Sequence, residues 1–269
     1  MNGASSSQPL PVPPTREPGV QPSAPAGLVE GSLAQALAPR DLTDPAQGPH
    51  AVQRLVEAAS QALAREWGCA VEVHRGGPVV PVTDHVLRAR AAAALLPLLD
   101  RPGAAPLLDV LLVCPALVHR EGPAAPATHE VELWRVRRGA PLGVRDLARM
   151  VAVVARAIAP GRTLSAAEDA APWLEGARRL DVRVRRTWIA AGRAGLVRPE
   201  VLAGAGLPAD ASALALTLEL DRLVMIAKGL DDPALLHDAR PEVAAQMLDL
   251  EPYLPGAVEG LPYSADSAA

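Results

Sequence analysis

Phenylalanine is absent from this 269-residue chain, and tyrosine occurs only twice. Lysine occurs once, as Lys228. Alanine, arginine, proline and glycine are abundant instead, as a GC-rich genome would produce, so scarcity of a residue type says little here about function. Cysteine is almost missing as well. Cys69 and Cys114 sit in apolar contexts with no pairing pattern, which excludes a disulfide framework and predicts reduced core residues in a cytoplasmic protein. No apolar run is long enough to span a bilayer, and no secretory signal opens the chain. A net charge of −4 excludes a bulk basic surface for nucleic acid. None of the six histidines has metal-ligand spacing, so no protein-built metal site is predicted. No glycine-rich dinucleotide fingerprint follows a strand and no phosphate-binding loop is present, which excludes those two nucleotide folds. Ser165 and Ser212 lack a nucleophile-elbow context.

What is present is a hydrophobic fraction of 49%, enough for a substantial core. Residues 1–40 are rich in Pro, Ser, Gly and Ala and are expected to be a disordered tail. Residues 41–269 read as one domain. Val52, Leu55, Val56, Ala59 and Leu63 have helical spacing, and Gly68 can close that helix. A strand pair is expected in "AVEVHRGGPVVPVTD" and a helix in "LRARAAAALLPLLD". "LLDVLLVCPALV" reads as a buried strand, "HEVELWRVRR" as a strand with polar faces, and "VRDLARMVAVVARAIAPG" as an amphipathic helix. "RLDVRVRRTWIAAG" reads as one strand. In "LALTLELDRLVM", four alternating leucines, Leu214 to Leu220, mark a strand with Ala213, Ala215, Thr217 and Glu219 on its other face. Asp221 can cap a following helix that Gly229 ends. Strands outnumber helices and short loops join them, which predicts an α+β domain with a mostly antiparallel sheet flanked by helices.

The chemistry-bearing residues are mainly arginines. Arg135 and Arg137 share a strand face, Arg120 follows a buried strand, and Arg222 stands in the first turn of a helix, where a cation is locally unfavourable. Together they could converge on a carboxylate or phosphate, which guanidinium groups bind in a fork. Alternatively, Arg135 and Arg137 pair with Glu130, Glu132 or other surface acids.

The order of several motifs resembles the catalytic core of class II aminoacyl-tRNA synthetases, in particular the phenylalanyl-tRNA synthetase alpha subunit. "VCPALVHREGPAAPATHEVELW" resembles motif 2, "PWLEG" the aromatic-x-Glu segment, "WIAAGRAGLVRPEVLAGAGL" the glycine-bearing strand before a Pro-x-Val-Leu helix, and "LALTLELDRLVMIAKGLDDPALL" motif 3. The resemblance implies an ATP- and Mg²⁺-dependent ligase that forms an aminoacyl or acyl adenylate. Arg120 would then hold the α-phosphate and Arg222 the γ-phosphate, with Glu121 and Glu219 beside the nucleotide. Trp173, Glu175 and Ala215 would line the amino-acid pocket, and Gly192 and Gly195 would form a turn that lets the backbone approach the ligand. The departures are specific. Thr217 and Glu219 replace glycines, and Gly122 replaces an acid. Arg135 and Arg137 stand where the family holds the substrate ammonium; they cannot accept its hydrogen bonds and would suit an anionic substrate. The expected partners are ATP and a small carboxylate, with tRNA allowed but its reading domains missing, no membrane, and a second copy forming a homodimer. The alternative is a non-catalytic paralogue that binds a small anion, a nucleotide or a protein.

Overall fold

The computed structural model describes residues 40–75, 109–118 and 127–255. Seven strands form one sheet in the order β1-β2-β3-β7-β6-β5-β4. They are β1 (Ala70–Val73), β2 (Asp109–Val118), β3 (Thr128–Arg138), β4 (Leu164–Glu168), β5 (Leu174–Val184), β6 (Thr187–Val197) and β7 (Ala211–Glu219). Only β1 and β2 run parallel; every other pairing is antiparallel.

The helices are α1 (Ala51–Trp67), α2 (Val144–Ile158), α3 (Pro199–Gly204), α4 (Leu220–Lys228) and α5 (Pro241–Gln246). α1 follows its apolar spacing and stops at Gly68, whose φ of 61° is the left-handed conformation that glycine adopts without penalty. α1, α2 and α4 bury their apolar stripes, including Leu55, Met150 and Leu223, against one sheet face. That face presents Leu111, Val113, Leu133, Leu214 and Leu216. Strand alternation puts Leu112, Cys114, Trp134, Ala213 and Ala215 on the other face, where α3 and the segment around Leu174 cover part of them.

Several expectations change. "RLDVRVRRTWIAAG" is not one strand but the hairpin of β5 and β6, turning at Arg185 and Arg186. Neither residue is a usual turn former, so no local signal marks the reversal. β4 was not expected at all; it is a short edge strand that pairs with β5. β3 is not polar-faced, since six of its eleven residues are buried and Trp134 is fully enclosed. The helix after β7 begins two residues early, with Glu219 at the N-cap, so Asp221 sits inside the first turn. Gly229 ends it at φ 72°, as the sequence predicts. Both cysteines are free thiols, with Cys114 buried and Cys69 partly so. Among the described residues, no helix is long and apolar enough to cross a membrane. The second strand expected after the Gly-Gly-Pro turn, the helix at "LRARAAAALLPLLD" and residues 1–39 of the tail lie outside the described residues.

Candidate active site

The sheet face opposite the main helices carries three cross-strand rows. The first is Leu112, Trp134, Ala215 and Gly195. The second is Cys114, Glu132, Thr217, Arg193 and Arg179. The third is Ala116, Glu130 and Glu219, at the end where β7 becomes α4. The face therefore grades from apolar to charged along the strands, and the charged end meets a helix N-terminus.

Arg222 projects from the first turn of α4 over this charged end. Its Nε lies 2.9 Å from Glu219 Oε2, and its Nη1 donates to the Ala190 carbonyl at 3.1 Å. The side chain stays 46% exposed, so it is held but still offered to a ligand. Glu219 resolves the local problem of a cation at a helix N-terminus, because a carboxylate at the N-cap favours the helix dipole and neutralises the guanidinium. Arg193 is hydrogen-bonded to Asp169, which holds that carboxyl below the usual carboxylate range. Arg179 donates from Nε to Asp181 Oδ1 at 3.0 Å, and this hydrogen bond to Asp181 raises the guanidinium's affinity for its proton. Asp181 itself is buried. Three half-exposed guanidinium groups, each oriented by its own carboxylate, thus stand on one face. Such groups suit phosphate oxygens.

The first turn of α4 is fixed from behind. Asp221 Oδ2 accepts from the His129 backbone N–H at 3.0 Å, and Oδ1 lies 2.7 Å from His129 Nδ1. The Leu42 N–H donates to His129 Nε2 at 3.0 Å, so the ring proton belongs on Nδ1 and is donated to Asp221. This buried chain ties β3 to α4 and positions Arg222.

At the apolar end, Trp134 stacks on Trp173 with centroids 5.6 Å apart and an interplanar angle of 4°. Trp134 is enclosed, and its indole N–H has no hydrogen-bond partner. The pair covers the row containing Ala215. On the flank, a cleft of about 420 Å³ is lined by Glu168, Asp169, Leu174, Arg178 and Arg198.

The residues singled out in the sequence divide accordingly. Arg222, Glu219, Ala215, Trp173 and Gly195 come together on this face. Arg120 and Glu121 lie outside the described residues. Arg135 and Arg137 do not join them. Register places them in line with Leu214 and Ser212, and Arg135 lies on the helix side. There Arg135 makes a fork to Asp109 with both contacts at 3.0 Å and stacks 4.3 Å from the Trp67 ring centroid. Arg137 approaches the same carboxylate at 3.7 Å. The pairing with a nearby acid is therefore what the structure shows, with Asp109 in place of Glu130 or Glu132, and the anionic-substrate reading loses its support. Glu175 is exposed and in register with Leu196, on the face away from Trp173's stack. Gly192 and Gly195 lie within β6 and not in a turn. A Cβ on Gly192 would stand 2.2 Å from the Thr217 carbonyl, and one on Gly195 2.9 Å from the Leu174 Cβ. These glycines admit neighbouring protein, not a ligand.

Sequence reasoning missed Arg179, Arg193, Glu132 and Trp134. Arg193 could have been found from its place two residues before Gly195, on the same strand face. Arg179 had no separate signal, being one of an Arg-Arg pair.

A family model described as tRNA synthetases class II core domain (F) matches residues 63–247. Among solved structures, the crystal structure of pyrrolysyl-tRNA synthetase from Desulfitobacterium hafniense is similar at a TM-score of 0.48 and 14% identity, covering 80% of each chain. No curated protein matches the chain.

Proposed function

The chain belongs to the family of class II tRNA synthetase core domains, and on that premise we propose that it is an ATP-dependent ligase that activates an amino acid as its adenylate. The observation that carries this reading is the Arg222 guanidinium, oriented by Glu219 and the Ala190 carbonyl yet half-open above a sheet face. A triphosphate there is met by fixed positive charge and by the N-terminus of α4, whose dipole favours an anion. Arg193 and Arg179 extend that charge along the second row. In adenylate formation the substrate carboxylate attacks the α-phosphate and pyrophosphate leaves. Preorganised guanidinium groups stabilise the negative charge spread over the phosphates. Arg120 is the α-phosphate candidate by resemblance.

Glu132 takes the part for which Arg135 and Arg137 were unsuited. Its position on the site face, one row from Ala215, supplies an acceptor for a substrate ammonium, which a guanidinium cannot. This supports an amino acid over a dianionic substrate. Phenylalanine-type specificity rests on the motif resemblance; the Trp134–Trp173 stack leaves a floor of aromatic rings beside Ala215. Mg²⁺ binds through one or two carboxylates together with substrate phosphates; Glu219 would hold it here, and the ion would neutralise phosphate charge. tRNA is the acyl acceptor that the family implies.

The test is ATP binding by calorimetry with Mg²⁺, on wild type and Arg222→Ala. Binding by wild type that the variant weakens at least tenfold supports the reading, and amino-acid-dependent pyrophosphate exchange then identifies the substrate. A folded wild type that binds no ATP overturns it.

A further inference from the structure

The β5–β6 hairpin ends in Arg183, Arg185, Arg186 and Trp188, all exposed. No carboxylate among the described residues is paired with any of these three arginines, although the neighbouring Arg178, Arg179, Arg193 and Arg222 all are. Trp188 is 45% exposed, and the Arg183 guanidinium lies 5.9 Å from its ring centroid. Arg185 has a φ of 53°, the one left-handed non-glycine residue among those described. It occupies the first position of a two-residue hairpin turn, between the paired Val184 and Thr187, where glycine would be unstrained. A strained Arg185, three arginines with no carboxylate partner among the described residues, and an exposed indole beside Arg183 mark a surface built for something outside the chain.

The tip is also continuous with the site. Arg183 pairs with Trp188, and Asp181 with Ala190, whose carbonyl accepts from Arg222. Trp188 thus stands two residues along β6, roughly 7 Å, from the contact that holds Arg222. Asp181 adds no free negative charge because Arg179 binds it.

We propose that this hairpin tip is a contact surface for single-stranded RNA, with Arg183, Arg185 and Arg186 on backbone phosphates and Trp188 stacked on a base. Clustered arginines with an interleaved aromatic side chain form the pattern that binds single strands without sequence readout. A lipid surface would also attract the arginines, but it offers no stacking partner to Trp188. The choice of RNA over another polyanion that carries aromatic bases rests on the ligase reading above.

The test is fluorescence anisotropy of a fluorescein-labelled 12-nucleotide RNA with the full chain, over a series of salt concentrations. The double variant Arg185→Gly/Arg186→Ser suits the turn geometry, and a thermal melt confirms that it folds. Wild type is expected to bind, and the double variant at least tenfold more weakly. The slope of log K against log salt should shrink by about 1.4 for two lost phosphate contacts. Trp188→Leu should weaken binding at least fivefold and leave the slope unchanged. Absence of RNA binding by wild type overturns the proposal, as does equal binding by the double variant. So does binding to phosphatidylserine vesicles in place of RNA. ATP calorimetry on the double variant separates the two readings: unchanged ATP affinity with lost RNA binding upholds both, and RNA binding without any ATP binding removes only the ligase assignment.

Discussion

Arg222 and Glu219 meet at 2.9 Å across the first turn of α4, so the guanidinium offered to a phosphate already carries its own counter-charge. A triphosphate must compete with that carboxylate. In the absence of Mg²⁺, Glu219→Gln is expected to tighten ATP binding about threefold to tenfold, since it removes a negative charge a few ångströms from the phosphates. With Mg²⁺ present the gain should shrink or reverse, because the same carboxylate then serves the cation. Calorimetry under both conditions checks the pair of outcomes. Unchanged affinity in both would remove Glu219 from the site.

Asp109 has a structural task. It neutralises Arg135, a nearly enclosed arginine on the helix side of β3. Asp109→Ala leaves that charge without its fork and should destabilise the fold by about 2 kcal/mol, less than for a fully buried pair because Asp109 is partly exposed. Urea denaturation measures the loss, and ATP affinity in the folded variant should match wild type.

Gly192 and Gly195 should respond to alanine in graded fashion. At Gly192 the new methyl group meets a main-chain carbonyl of β7 and can be accommodated only by parting β6 from β7. A loss of about 3 kcal/mol or more is expected. At Gly195 the nearest obstacle is the Leu174 Cβ at 2.9 Å, a smaller overlap that β5 must relieve by a shorter backbone movement, so a cost of about 2 kcal/mol should follow. Thermal melts of the two variants rank them; the reverse order would mean that β6 and β7 yield more easily than Leu174.

His50 caps α1 by accepting from the Val52 N–H at 3.2 Å, while its other ring nitrogen lies 3.1 Å from the Leu236 carbonyl. Burial lowers its pKa from 6.5 to about 4. The unfolded chain therefore takes up a proton at His50 between pH 6.5 and about 4 that the folded chain refuses. Stability is full above pH 6.5 and falls as pH drops through this window, by about 3 kcal/mol from this group. Burial and the nearby His129 lower His237 as well, which adds a contribution of the same sign. His50→Asn keeps an acceptor at the cap and removes the titration. Its unfolding free energy should vary less with pH than that of wild type over the same range.

Much of this molecule is legible in its sequence. Leu214, Leu216 and Leu218 fix the buried face of β7 by alternation alone, and the helical spacing from Val52 to Leu63 with a terminal Gly68 fixes α1. Arg222 is conspicuous because a cation in a first helical turn contradicts local electrostatics. These features depend on neighbours in the chain, and periodicity reports neighbours. The β5–β6 turn was not legible, because Arg185 and Arg186 carry no turn chemistry and only pairing between distant strands imposes the reversal.

Sequence by itself determined that an α+β domain forms, which residues line the core, and that an arginine waits at the strand-to-helix junction. Tertiary structure alone decided which charges share a face. Arg135 and Arg137 look like site residues in one dimension, yet the register of β3 turns them toward α1 and Asp109 and puts Glu130 and Glu132 on the opposite face, in line with Glu219 and Thr217. A shift of one residue in strand pairing exchanges the two faces, and no local property of the β3 segment carries that information.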